Sequence, residues 1–259
     1  MTEILAAEWH KLLTAPPARY VVGVMAVFTA LMLVLAWYFV SVWDGLAPEA
    51  RAHASLASLP ELLGWIASLV MAVFGALSIT GEHASGMIAS TFLAMPSRRR
   101  VLVAKACVVA AASFALSEAA FGVCLAGGAV LMGDRPISGQ VPVDAGSLVL
   151  IVALGVSAAV FALIGLGLGA ITRSALATVV ALMLLWYIAP LLAAHVPEPW
   201  SEWLMSILPG ALAGELAGTG NANSVFSASL SPLGAAVALV AYATVPLGAA
   251  MAVITRRDV

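Results

Sequence analysis

Charged residues are so sparse along this chain that its elements stand out as the intervals between them. Long apolar runs cover residues 20–43, 62–80, 106–132, 146–171, 175–196 and 233–254. Each exceeds the roughly 18 residues that a helix needs to cross a hydrocarbon core about 30 Å thick. The fourth run, SLVLIVALGVSAAVFALIGLGLGAI, is apolar on every side and shows no alternation. Strands of an outer-membrane barrel would alternate apolar and polar positions over about 10 residues, so these runs predict helices. The expected fold is an all-α membrane protein with six transmembrane helices, and residues 1–259 form a single transmembrane domain.

Three shorter patterns lie between the spans. Within residues 1–19, Ile4, Leu5, Trp9, Leu12 and Leu13 share one half of a helical wheel, and Glu3, His10, Lys11 and Thr14 share the other. Glu8 is the exception on the apolar side. This predicts an amphipathic interfacial helix that Pro16-Pro17 turns into the bilayer, the alternative being a frayed tail. Between the second and third spans, GEHASGMIASTFLAMPSRRR places Ile88, Phe92 and Met95 at i, i+4 and i+7, with Pro96 ending the short helix. Arg98, Arg99, Arg100 and Lys105 then anchor the third span at the membrane surface, where each basic residue is worth about 1 kcal/mol against anionic lipid. The short helix is either a cap on the bundle or a handle through which something else can push it. Between the fifth and sixth spans, Ser201–Leu208 and Ala211–Ala217 read as two short helices around Pro209-Gly210, with Trp203 at the interface and Glu215 in the second. They form either a re-entrant outer lid or an ordinary surface loop.

Composition agrees with the pattern: 63% of residues are hydrophobic, only 9% are charged, and the mean hydropathy is +1.08. The net charge of −2 says less than the placement of charge. With a cytoplasmic N-terminus, the inner segments hold Lys11, Arg19, Arg98, Arg99, Arg100, Lys105, Arg173, Arg256 and Arg257. The outer loops then hold only Arg51 and Arg135. Both termini are therefore expected in the cytoplasm. The first run is long and is followed by Trp37, Tyr38 and Trp43 rather than by a small-residue cleavage site, so it reads as a retained helix. Cys107 and Cys124 lie too far apart on one helix to bridge each other.

Catalytic chemistry has no visible footing. Lys11 and Lys105 follow AAEWH and RVLVA, not the glycine-rich turn of a phosphate-binding loop. His10, His53, His83 and His195 are scattered without metal-ligand spacing, and nothing points to nucleic acid as a partner. Glu118, near the centre of the third span, stands out because an ionised carboxylate there costs roughly 2.5–3.5 kcal/mol. It is either a pathway or proton-accepting group, or a protonated carboxyl bonded to a neighbouring helix near Ser113 and Ser117. Gly165 and Gly169 make one G-x-x-x-G pair, which suits close packing within the chain or between chains.

The sequence resembles the membrane subunits of ABC type 2 exporters, ATP-driven transporters whose permeases have six helices. The resemblance rests on Glu82, Gly86, Met87-Ile88, Thr91, Leu93, Pro96 and the basic cluster of Arg98–Arg100 with Lys105. It extends to the EWHKLLTAPPARY segment, the proline-centred ILPGALAGELAG and the basic tail. It implies that residues 85–95 form a cytoplasmic coupling helix, opened by Glu82 and Gly86, that docks Ile88, Phe92, Met95 and Pro96 on a separate ATPase subunit. ATP and Mg would then be bound by the partner and no cofactor by this chain. Two ATPases and a second permease, identical or related, would complete the assembly in a bacterial inner membrane. The segment containing Trp203, Leu208, Pro209, Gly210 and Glu215 would be the re-entrant outer gate. Met87 departs from the small polar residue common in the family, and Glu118 has no counterpart in its general pattern.

The expected function is thus export of a hydrophobic or amphipathic compound such as a drug, antibiotic or lipid-like molecule. Two rivals remain: a proton-coupled secondary transporter that uses Glu118, and a non-transporting scaffold or immunity protein.

Overall fold

A computed structural model describes residues 2–88, 91, 97–139, 141–218 and 230–256. Among these residues the chain is helical, with no strand and one isolated bridge between Ser55 and Ser138. The helices are α1 (Thr2–Thr14), α2 (Pro16–Gly45), α3 (Pro48–His53), α4 (Leu59–Ala84), α5 (Arg98–Met132) and α6 (Ala145–Thr172). They continue as α7 (Ala175–Ala194), α8 (Trp200–Ile207), α9 (Leu212–Ala217) and α10 (Pro232–Arg256). Among the described residues α2, α4, α5, α6, α7 and α10 are long and apolar enough to cross a membrane, as the six runs predict.

Local signals set the ends. Pro16 opens α2, where a proline's missing N–H removes a donor that has no partner in the helix anyway. At the start of α6, the Asp144 carboxylate accepts from the Ser147 backbone N–H at 2.8 Å, and the Ser147 hydroxyl accepts from the Asp144 N–H at 3.0 Å. This reciprocal capping box satisfies two otherwise orphaned donors. In α7 the α-helix gives way to a π turn over Leu184–Ile188, just before Pro190. A proline cannot donate to the carbonyl four residues back, and the wider turn absorbs the mismatch.

The bundle is built around α6. It buries most of its circumference, leaving Leu148, Val149 and Val152 exposed, whereas α2 buries one stripe, Val21, Met25, Thr29, Met32, Ala36, Val40 and Trp43, spaced by three and four. Most of the rest of α2, including Val27, Val34 and Tyr38, is exposed, as a lipid-facing surface requires. Lipid is as apolar as leucine, so helices in it associate through close van der Waals packing. Small residues permit that packing here. A methyl group on Gly75 of α4 would collide with the Ala162 carbonyl oxygen, and one on Gly165 of α6 would collide with that of Ala72. Gly169 likewise faces Ile79 and Ala76. The G-x-x-x-G pair therefore packs α6 onto α4 within the chain. Gly64 meets Leu154 and Gly169 meets Ile79, so α4 and α6 run parallel, as two spans separated by one intervening span must.

The structure departs from the sequence reading in three places. A short helix, α3, opened by Pro48, occupies the first connecting loop. That loop is tied to the next on its side: Arg135 donates to both oxygens of Asp44 at 2.8 and 2.9 Å, and the Leu56 N–H donates to the Ser138 carbonyl. Finally, α5 begins at Arg98, two turns before the expected start of the third span.

Candidate functional site

The N-terminal helix, the end of α4, the start of α5 and the end of α10 meet at one end of the bundle. Four charged side chains gather there. The Lys105 ammonium lies 2.5 Å from Glu8 Oε2 and 2.8 Å from Glu82 Oε1. Lys11 lies 2.7 Å from Glu8 Oε1 and 3.7 Å from Glu82 Oε1, and donates to the Thr91 hydroxyl at 3.2 Å. The side chains of Glu8, Lys105 and Glu82 are only 4, 7 and 11% exposed. Three helices far apart in sequence are thereby joined by charge in a place where unpaired charge is costly. Burial pushes the Glu8 carboxyl up, but Lys105 and then Lys11 outweigh it and hold the group below the usual carboxylate range.

This cluster corrects one expectation. Lys105 does not anchor α5 at the lipid surface: the helix starts earlier than the apolar run suggests, so Lys105 falls on the buried stripe with Leu102 and Val109 and needs carboxylates around it. The signal was Glu8, the one acidic residue on the apolar face of the first segment. Glu8 is the residue by which α1 grips the bundle, so this segment is not a frayed tail.

Of the other residues expected to serve coupling, Glu82 lies in the last turn of α4. Gly86 follows with φ of 71°, a left-handed conformation that favours glycine, and turns the chain into the helical Met87 and the buried Ile88. Phe92, Met95 and Pro96 lie outside the described residues. Arg98 donates to the Ile254 carbonyl at 3.0 Å, fastening the start of α5 to the last turn of α10, while Arg99 and Arg100 are exposed. A cation is well placed at a helix C-terminus, where carbonyls are left without partners.

Glu118 sits where α5 crosses α6. A methyl group on Gly155 would collide with Glu118 Oε1, so the glycine admits the carboxyl. Among the described residues that oxygen has no hydrogen-bond partner, and neither do the buried hydroxyls of Ser113 and Ser117.

At the opposite end, α8 and α9 flank Leu208–Ala211, the two short helices the sequence predicts. Trp203 is exposed, but Leu208, Pro209 and Glu215 are buried, and Gly210 borders a small cavity beneath Trp65 and Trp186. Glu215 Oε1 accepts from the Leu230 N–H at 3.4 Å, tying α9 to the start of α10. The ring of Trp186, on the π turn, stands edge-on to Phe161 and Trp65, at centroid distances of 4.6 and 5.4 Å.

Six candidate spans around a glycine-packed centre, with α1 and the last turn of α10 tied to the same end of the bundle, define a polytopic helical membrane protein. The chain matches the family described as "ABC-2 family transporter protein" over residues 4–189, and it belongs to that family. It is therefore a permease of an ABC transporter, and membership implies an ABC ATPase as partner. Comparison with curated proteins gives no match.

Proposed function

We propose that this permease is the membrane subunit of an ATP-driven exporter, coupled to its ATPase through the turn between α4 and α5. The observation that carries the reading is the ion cluster. Glu82 and Lys105 flank that turn, and Glu8 and Lys11 fasten α1 to it, so a push on the turn moves α1, α4 and α5 together. A separate ATPase engaging residues 85–95 would act on a segment whose two flanking helices are braced together by charge. Two permease chains and two ATPases complete the proposed assembly, with ATP and Mg bound by the ATPases and both permease termini in the cytoplasm of a bacterial cell. The pair α8–α9, seated on the opposite end, is the proposed outer gate, and the proposed cargo is an amphipathic compound.

The test is co-purification. The wild-type chain should retain a separately encoded ATPase, and Phe92→Asp combined with Met95→Asp should release it while the permease remains monodisperse. If the wild-type chain retains no ATPase, the reading fails. The unpartnered Glu118 oxygen favours one rival, a proton-coupled carrier. In that case transport would collapse with the proton gradient and persist without an ATPase.

A further inference from the structure

Two cavities open beside the ion cluster and share Pro16, Pro17 and Leu77 in their walls, so they form one groove. The first, of about 400 Å³, holds the four charged side chains at its rim, with Leu12, Phe74 and Val108 behind them. The second, of about 500 Å³, is walled by α2, α4 and Met183 of α7, with no charged residue in its lining. The α4 wall carries two adjacent rows of residues four apart, Leu69, Val73, Leu77 and Gly81 beside Val70, Phe74, Ser78 and Glu82. Leu69, Val73 and Leu77 are half-buried, as the floor of an open groove should be.

Its dimensions match one leaflet. From Leu69 to Glu82 the helix rises about 20 Å at ~1.5 Å per residue. Half of a hydrocarbon core plus one headgroup layer is also about 20 Å. The charged end then lies at headgroup depth and the apolar end near the mid-plane.

The charges select the headgroup. Two carboxylates and two ammonium groups leave the cluster neutral as it stands. Lys11 is the accessible member at 32% exposure, and its contact with Glu82 is the longest at 3.7 Å. A phosphate that draws Lys11 outward leaves Glu8 and Glu82 sharing the single ammonium of Lys105, and Glu82, at 11% exposure against 4% for Glu8, is the carboxylate a ligand can reach. A primary ammonium carried by the same headgroup replaces that charge and donates hydrogen bonds to the carboxylate. An anionic headgroup brings no such replacement, and a quaternary ammonium has no N–H to donate.

We propose that this groove is a binding site for one phospholipid with a phosphate and a primary ammonium in its headgroup, the phosphate on Lys11, the ammonium on Glu82 and an acyl chain along Leu77, Val73 and Leu69. The site requires only the bilayer, so it stands whether or not an ATPase couples at the neighbouring turn.

The full chain would be reconstituted in nanodiscs containing equal parts phosphatidylethanolamine, phosphatidylcholine and phosphatidylglycerol, then released for native mass spectrometry. The expected result is one phosphatidylethanolamine retained per chain in excess over the other two lipids. Lys11→Gln should lower that retention about fivefold, the factor one charged contact at the headgroup carries, and Lys11→Arg should keep it. Leu77→Trp, which fills the groove, should abolish it. Phosphatidylethanolamine carrying a diazirine in its tail should label the wild-type chain at Val73 and Leu77, a readout that needs no variant. Equal or greater retention of phosphatidylglycerol, retention unchanged by Leu77→Trp, or labelling scattered elsewhere on the bundle would overturn the proposal.

Discussion

Replacing Lys105 by methionine should reverse the pH dependence of this protein's stability. In the wild-type chain the Glu8 carboxyl is held below the usual carboxylate range. A carboxyl whose folded pKa lies below its unfolded value contributes stability that is fully present above the unfolded value. That contribution is lost as pH falls through the folded one. The wild-type contribution from Glu8 is therefore flat from neutral pH down to the ordinary carboxylate range and declines only below it. Lys105→Met removes the cation 2.5 Å from Glu8 Oε2 and keeps the apolar stem. Lys11 remains, but it is 32% exposed and partly screened by solvent, and the burial that Lys105 had outweighed now pushes the Glu8 carboxyl up. With the folded pKa above the unfolded one, the sign changes: the variant gains stability as pH falls from neutral toward the ordinary carboxylate range. Breaking one side of a buried pair costs about 3–5 kcal/mol at neutral pH. For a chain of this size that corresponds to a fall in melting temperature on the order of 10 °C. Each unit by which the Glu8 pKa moves is worth about 1.4 kcal/mol.

The assay is a thermal unfolding series in one detergent from pH 7.5 to pH 4.5 on wild type, Lys105→Met, Glu8→Gln and the double variant. Glu8→Gln with Lys105→Met removes both charges, so it should recover a large part of the loss and lie flat in pH. That non-additivity is the coupling a double-mutant cycle isolates. A Lys105→Met protein that melts with the wild type, or that loses stability on acidification in parallel with it, would refute the argument that the cluster carries buried charge.

Three further expectations follow from particular contacts. Gly165→Leu should drive the α4–α6 crossing apart against the Ala72 carbonyl at a cost of about 3 kcal/mol or more, read as loss of the monodisperse peak in size-exclusion chromatography. Gly86→Ala has open space for its methyl, so its cost should be the left-handed backbone alone, about 1–2 kcal/mol, and a pull-down should show weaker ATPase retention with the bundle intact. Glu118→Gln preserves shape while removing the titratable proton, so ATP-driven transport in proteoliposomes should be unchanged; loss of transport would favour the proton-coupled carrier.

The spans were legible because a transmembrane helix must satisfy two constraints at once, length and near-complete absence of charge, and both are written along the chain. The α8–α9 pair was legible because Pro209-Gly210 punctuates it. What escaped notice depends on partners that are distant in sequence. Glu8 looked like a flaw in an amphipathic pattern, and Lys105 looked like a surface anchor. Each finds its shortest ion pair in the other, 97 positions away and 2.5 Å distant. Periodicity counts a charge on an apolar face as an error, but in a bundle such a charge marks the place where another helix brings its counter-ion. The same reasoning applies to Glu118: Gly155 opens the space for it, yet among the described residues its Oε1 and the Ser113 and Ser117 hydroxyls have no hydrogen-bond partner. A carboxyl with room made for it and no partner differs in kind from the satisfied cluster at the bundle's end, which holds helices together. The charges that brace this fold are therefore set apart from the Glu118 carboxyl by the counter-ions that other described helices bring to them.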